Sequence, residues 1–171
     1  AFVLERNPGI LRDLDLLKAI HEKSRATVAF SIIATPDSKN YEQVCQMEHL
    51  APPAKKRFEA MQKIAAAGIP VGVSMMPILP GLCDDAANLE SVVRWTADHG
   101  GSFVLASGLT LSDQQKEYFF GVLRELFTGD ADVALIAAEQ SAALARVLSQ
   151  PEEGIGLFEA AELVSLGPLD A

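Results

Sequence analysis

Only two cysteines, Cys45 and Cys83, stand in 171 residues, too few and too far apart for a disulfide framework or a metal knuckle. A reducing compartment, the cytoplasm by default, is therefore expected. Histidine is as scarce: His21, His49 and His99 include no pair at metal-ligand spacing, so no metal site is expected. Positive charge is the minority, with 14 Lys and Arg against 23 Asp and Glu and a formal charge of −9. Nucleic-acid affinity rests on cations that neutralise phosphates, so this segment by itself is a poor phosphate-binding surface. No apolar run approaches the roughly 20 residues of a membrane span. The first residues also lack the charged-then-apolar pattern of a signal peptide, so no membrane association is expected.

What is present is an alternation of apolar runs with glycine and proline. The stretch from Gly68 to Asp85 is the clearest: Ile69 to Met75 is short, rich in valine and bounded by Gly68 and Pro77. Such a run reads as a strand buried on both faces, as in a parallel sheet. Before it, Pro52-Pro53 opens and Gly68 closes a helix whose stripe is Phe58, Met61, Ile64 and Ala65. After it, Asp84-Asp85 suits a helix N-terminus, Leu89, Val92, Val93 and Ala97 recur at helical spacing, and Gly100-Gly101 ends that run. Phe103 to Ala106 is then a further strand. Helix and strand in alternation imply right-handed crossover units and an α/β class.

Upstream, Phe2 to Glu5 reads as the end of a strand whose beginning is missing, which makes the chain a fragment in expectation. Pro8 starts a helix with Ile10, Leu11, Leu14, Leu17 and Ile20 inward. Thr27 to Thr35 is the next strand. Alternation puts Val28, Phe30 and Ile32 toward the helices, and Thr27, Ala29, Ser31 and Thr35 on the face that would line a barrel or a ligand. A short helix with Tyr41 and Val44 follows. Ser112 to Gln115 has the form of a capping box for a helix carrying Tyr118, Phe119 and Val122. From Asp130 the alanine-rich texture suggests a helical extension with a last short helix near 158 to 166. The expected division is 1–128 for the sheet domain and 129–171 for the extension.

Four separated segments carry a resemblance: Asn7-Pro-Gly-Ile-Leu-Arg-Asp-Leu-Asp-Leu-Leu17, Ala51-Pro-Pro with Arg57, Ala67-Gly-Ile-Pro-Val-Gly-Val with Met76-Pro-Ile-Leu-Pro-Gly-Leu and Asp84, and Gly108-Leu-Thr-Leu111. In this order the chain resembles the later half of the radical SAM domain in spore photoproduct lyase-like, DNA repair photolyase-like proteins, over roughly residues 2 to 127. The resemblance implies a partial (β/α) TIM-like barrel, this chain holding about four parallel strands, the third to sixth of six. It also implies S-adenosylmethionine and a 4Fe-4S cluster, with reductive cleavage to a 5′-deoxyadenosyl radical. The Cys-x-x-x-Cys-x-x-Cys cluster loop of the family is absent here, so the chain alone is not expected to perform the chemistry.

Residue by residue, the resemblance places Arg6 where the family has a lysine that looks like a ligand for the methionine carboxylate. Ser31 stands where the family has a serine that looks like a cofactor contact. In the central strand, Gly72, Ser74 and Met76 alternate inward, the small residues leaving room for an adenosyl group and Met76 lining its pocket. The loop from Pro77 to Asp85 would lie at the carboxyl end of the strand, where barrel enzymes keep their sites. Cys83 in that loop reads as a structural thiol, and Asp84 and Asp85 as helix caps. The implied partners are the N-terminal half of the barrel, an electron donor and an unknown substrate, a DNA lesion being the family's suggestion. The alternative is a non-catalytic α/β scaffold that binds a partner.

Overall fold

The computed structural model describes residues 1–79 and 81–109, Gln115, Tyr118, Phe119, Gly121 and Val122, and 163–165. Strands β1 (Phe2–Glu5), β2 (Thr27–Ser31), β3 (Val71–Ile78) and β4 (Phe103–Gly108) are all parallel and lie side by side in sequence order. Between them run a 3₁₀ turn (Pro8–Asp13) continuing into α1 (Leu14–Ser24), then α2 (Tyr41–Met47), α3 (Ala54–Ala66) and α4 (Ala86–Asp98). The expected α/β class and the four parallel strands are present.

Local chemistry accounts for the boundaries. The Asn7 side chain accepts from Gly9 N at 2.8 Å, capping the 3₁₀ turn. Asp85 accepts from Asn88 N at 3.0 Å at the start of α4, and Gly68 and Gly100 take φ of +78° and +75° in the turns after α3 and α4. β3 runs further than its sequence suggests. Pro77 falls within it, at a register shift between Met75 and Ile78, the kind of irregularity at which a strand tolerates a residue without an N–H.

The core lies on the helix side of the sheet. Val28, Phe30, Val71, Val73 and Val104 pack there with Phe58, Met61 and Ile64 of α3 and Val92 of α4. On the other face, parallel register sets Leu4, Ala29 and Gly72 in one row and Ser31 and Ser74 in the next. The end of this face at β1 is open: Phe2 and Leu4 are 57% and 59% exposed.

Two expectations are corrected. Leu163–Ser165 is not helical but a fifth strand, β5, antiparallel to β4. Three extended residues satisfy backbone groups along the outer edge of β4 that a helix would leave unpaired. The rest of the expected helical extension, 129–171, and Ser112 of the capping box lie outside the described residues. The second correction concerns Gly72. A Cβ added there would stand 2.7 Å from the ring of Phe103, so that ring already covers the glycine and no room for an adenosyl group remains above it.

Candidate functional site

The carboxyl ends of β1 to β4 converge on a cavity of about 430 Å³. Each strand contributes its exit: Arg6 after β1, Ile33 after β2, Met76 and Leu79 around the end of β3, and Leu109 after β4. The segment following α2 adds Glu48 and His49, and Tyr118, Phe119 and Val122 close one side. A cleft beyond the carboxyl ends of parallel strands is where α/β sheets place ligands.

Of the four residues singled out in the sequence, two line this cavity and a third, Ser31, touches one of them. Arg6 and Met76 line the cavity, and Arg6 Nη2 donates to Ser31 Oγ at 3.4 Å. Ser74 does not reach it. It is 3% exposed, paired in register with Ser31 one strand away, and its hydroxyl makes no hydrogen bond among the described residues. Thr35 is also displaced from the expected face. β2 ends at Ser31, and the Thr35 hydroxyl lies 2.7 Å from Ser91 Oγ on α4. It belongs to a buried network in which Ser38 donates to Asn88 Oδ1 and Asn88 Nδ2 donates to the carbonyls of Ile33 (2.9 Å) and Cys83 (2.7 Å). That network holds the exits of β2 and β3 against α4, so cavity walls contributed by Ile33 and Leu79 have a fixed backing.

The residue that sequence reasoning did not single out as a site is Arg57. Its guanidinium, on α3 and 2% exposed, donates to Ser31 O at 2.6 Å, to Pro52 O at 2.7 Å and to the Glu48 carboxylate. A planar fork with five donors can satisfy three acceptors at once, which a lysine cannot do with the same geometry. Arg57 thereby fixes both the end of β2 and the Glu48 segment that faces the cavity. In sequence Arg57 stands out only through the Ala51-Pro-Pro…Arg57 motif; four residues after Pro53 and next to Lys55 and Lys56, nothing local marks it as the buried cation.

Cys83 is a structural thiol. It is fully buried, accepts from Leu79 N at 3.0 Å, and burial pushes its pKa from the ordinary 9.0 up to about 11. Cys45 is exposed on α2. Native protein is therefore expected to take up a single equivalent of a maleimide at pH 8, on Cys45, with Cys83 reacting only after denaturation. Two equivalents taken up at equal rates by folded protein would contradict this. Because folding raises the Cys83 pKa, its contribution is intact below pH 9 and is lost as pH rises toward 11, so Tm is expected to fall across that window.

Among the described residues no group of His, Cys, Asp and Glu is arranged to hold a metal ion. His21 and His99 instead close helix ends: His21 Nδ1 accepts from Ala26 N at 3.2 Å, and His99 Nδ1 lies 2.8 Å from Trp95 O with its ring stacked on the indole. Asp84 accepts from Gly81 N at 2.8 Å and shapes the loop after β3. No helix among the described residues is long and apolar enough to cross a membrane. Comparisons with protein-family models, with curated proteins and with solved structures return no match.

Proposed function

We propose that this chain forms the S-adenosylmethionine-binding wall of a radical SAM enzyme similar to the spore photoproduct lyase-like proteins, its four parallel strands being part of a (β/α) barrel. The observation that carries the reading is that Arg6 and Met76 line a cavity of about 430 Å³ at the carboxyl ends of the strands, with Ser31 Oγ 3.4 Å from Arg6 Nη2. Arg6 would hold the carboxylate of the methionine moiety through its planar fork. Met76, Leu79 and Leu109 offer the apolar surface that a heteroaromatic ring needs. Ser31 holds the Arg6 side chain over the sheet. When bound, S-adenosylmethionine supplies a carbon–sulfur bond whose reductive cleavage starts hydrogen abstraction.

The residues present do not fit the iron–sulfur cluster. Three thiolates are needed, while the sequence has two cysteines, one buried as an uncharged thiol and the other exposed on α2. Cluster ligands and the electron donor would have to come from residues other than these 171, in the cytoplasm, and the substrate, a DNA lesion or another molecule, would meet the cavity from its open side.

Isothermal titration of the chain with S-adenosylmethionine tests the reading. Saturable binding is expected, weakened roughly tenfold to a hundredfold in Arg6→Ala, the range of one charge-assisted contact. No heat of binding, or equal affinity in Arg6→Ala, would overturn it. A second reading, a non-catalytic scaffold, draws on the exposed Phe2 and Leu4 at the β1 edge, which suit a partner strand. The titration separates the two, because a scaffold has no need of the cofactor.

A further inference from the structure

The chain has four methionines, Met47, Met61, Met75 and Met76, and the fold sorts them into two pairs. Met61 on α3 is fully buried, and a Cβ added at Gly101 would stand 2.9 Å from its sulfur. Met75, 2% exposed, belongs to the core. Met47 and Met76 are only partly buried, and both line the cavity at the carboxyl ends of the strands. They arrive there from different elements, Met47 as the last residue of α2 and Met76 from β3. Every thioether that solvent reaches in this protein thus borders one cavity, beside the apolar side chains of Ile33, Leu79 and Leu109.

We propose that Met47 and Met76 form a reversible oxidation site, at which a peroxide converts both thioethers to sulfoxides and turns an apolar wall of the cavity polar. In each step a sulfur lone pair attacks one oxygen of the peroxide. The S–O bond forms as the O–O bond breaks, sulfur gives up two electrons, and the second oxygen keeps the proton and leaves as water when the oxidant is hydrogen peroxide. A methionine sulfoxide reductase, oxidising thiols, returns the thioether. Sulfur chemistry is the same in all four side chains, so the fold alone selects among them: Met61 and Met75 meet the oxidant only when the core opens. A sulfoxide oxygen demands a hydrogen bond, which the side chains of Ile33, Leu79 and Leu109 cannot donate, so a ligand held by apolar contact with this wall is weakened. The effect on S-adenosylmethionine rests on the cofactor reading, while the oxidation site itself rests on the exposure and placement of the two side chains.

The test treats the native chain with hydrogen peroxide and follows sulfoxide formation at each methionine by tandem mass spectrometry, which resolves the adjacent Met75 and Met76. Met47 and Met76 are expected to oxidise at least roughly tenfold faster than Met61 and Met75, and the four rates are expected to converge in denaturant. S-adenosylmethionine is then titrated into the oxidised protein before and after incubation with methionine sulfoxide reductase. Binding is expected to weaken roughly tenfold on oxidation and to recover with the reductase. The recovery separates the thioethers from Cys45, an exposed thiol two residues from Met47 that the reductase does not restore. Equal rates at the four methionines of folded protein, or Met61 and Met75 leading, overturn the oxidation site whatever the titration shows. Selective oxidation that leaves S-adenosylmethionine binding unchanged overturns the switch but leaves the cofactor reading standing. Selective oxidation in a chain that never binds S-adenosylmethionine overturns the cofactor reading and keeps the oxidation site.

Discussion

Arg57→Ala is expected to destabilise the fold by about 3–5 kcal/mol, the cost of breaking a buried ion pair by removing one partner. For a chain of this size that corresponds to a fall in Tm of roughly 6–20 °C. The reason is local. Without the guanidinium, the mostly buried Glu48 carboxylate loses its counter-charge, and the carbonyls of Ser31 and Pro52 lose their donors. Arg57→Lys restores a charge without the fork and is expected to recover only part of the loss, since one ammonium cannot meet three acceptors set in different directions. Thermal melts of the three proteins decide the matter. An Arg57→Ala protein that melts within a degree or two of the parent would show that the pair is dispensable, and with it the claim that Arg57 holds the cavity wall. Glu48→Gln should cost less than Arg57→Ala, because the amide oxygen still accepts from Arg57.

The second large effect is expected at Gly72. A methyl group there would lie 2.7 Å from two ring carbons of Phe103 and would also collide with the Phe103 carbonyl oxygen. Overpacking of this kind costs about 1–3 kcal/mol, and Gly72→Ala is expected at the upper end because a backbone carbonyl in a central pair of strands cannot swing aside. Pairing the substitution with Phe103→Ala separates the two collisions. The double variant should recover the ring's share and retain the carbonyl's, so that the penalty for Gly72→Ala shrinks in the Phe103→Ala background without vanishing. Denaturant unfolding measures both. Full additivity of the two substitutions would mean that the ring does not rest on the glycine, and the adenosyl-sized space expected above Gly72 would be restored as an option.

The parallel sheet was legible because its signals are local. Runs such as Val71 to Met75, the α3 stripe of Phe58, Met61 and Ile64, and the turn glycines Gly68 and Gly100 each reveal their element within a few residues. Strand exits were legible for the same reason, whereas Arg6 and Ser31 were assigned to the site by the family resemblance and Met76 by alternation along β3. What depends on distant partners was not. Arg57 acquires its meaning from Ser31, 26 residues earlier, and from Glu48, 9 residues earlier. The space above Gly72 is taken by a ring from the neighbouring strand, which alternation within β3 cannot reveal. Thr35 was misplaced because alternation was carried past Ser31, where β2 ends and the chain turns toward α4. β5 was missed because three residues paired at a sheet edge carry almost no periodic signal.

The proposed seat of S-adenosylmethionine is the carboxyl ends of the four parallel strands. Backbone amide chemical shifts of the ¹⁵N-labelled chain, followed as S-adenosylmethionine is added, test it most directly, because they report where the molecule sits as well as whether it binds. The largest changes are expected at Arg6, Ile32, Ile33, Glu48, Met76, Leu79 and Leu109, with the amino ends of the strands at Phe2, Thr27, Val71 and Phe103 unmoved. Changes centred on those amino ends or on the outer faces of α1 and α3, or none at all, would contradict it.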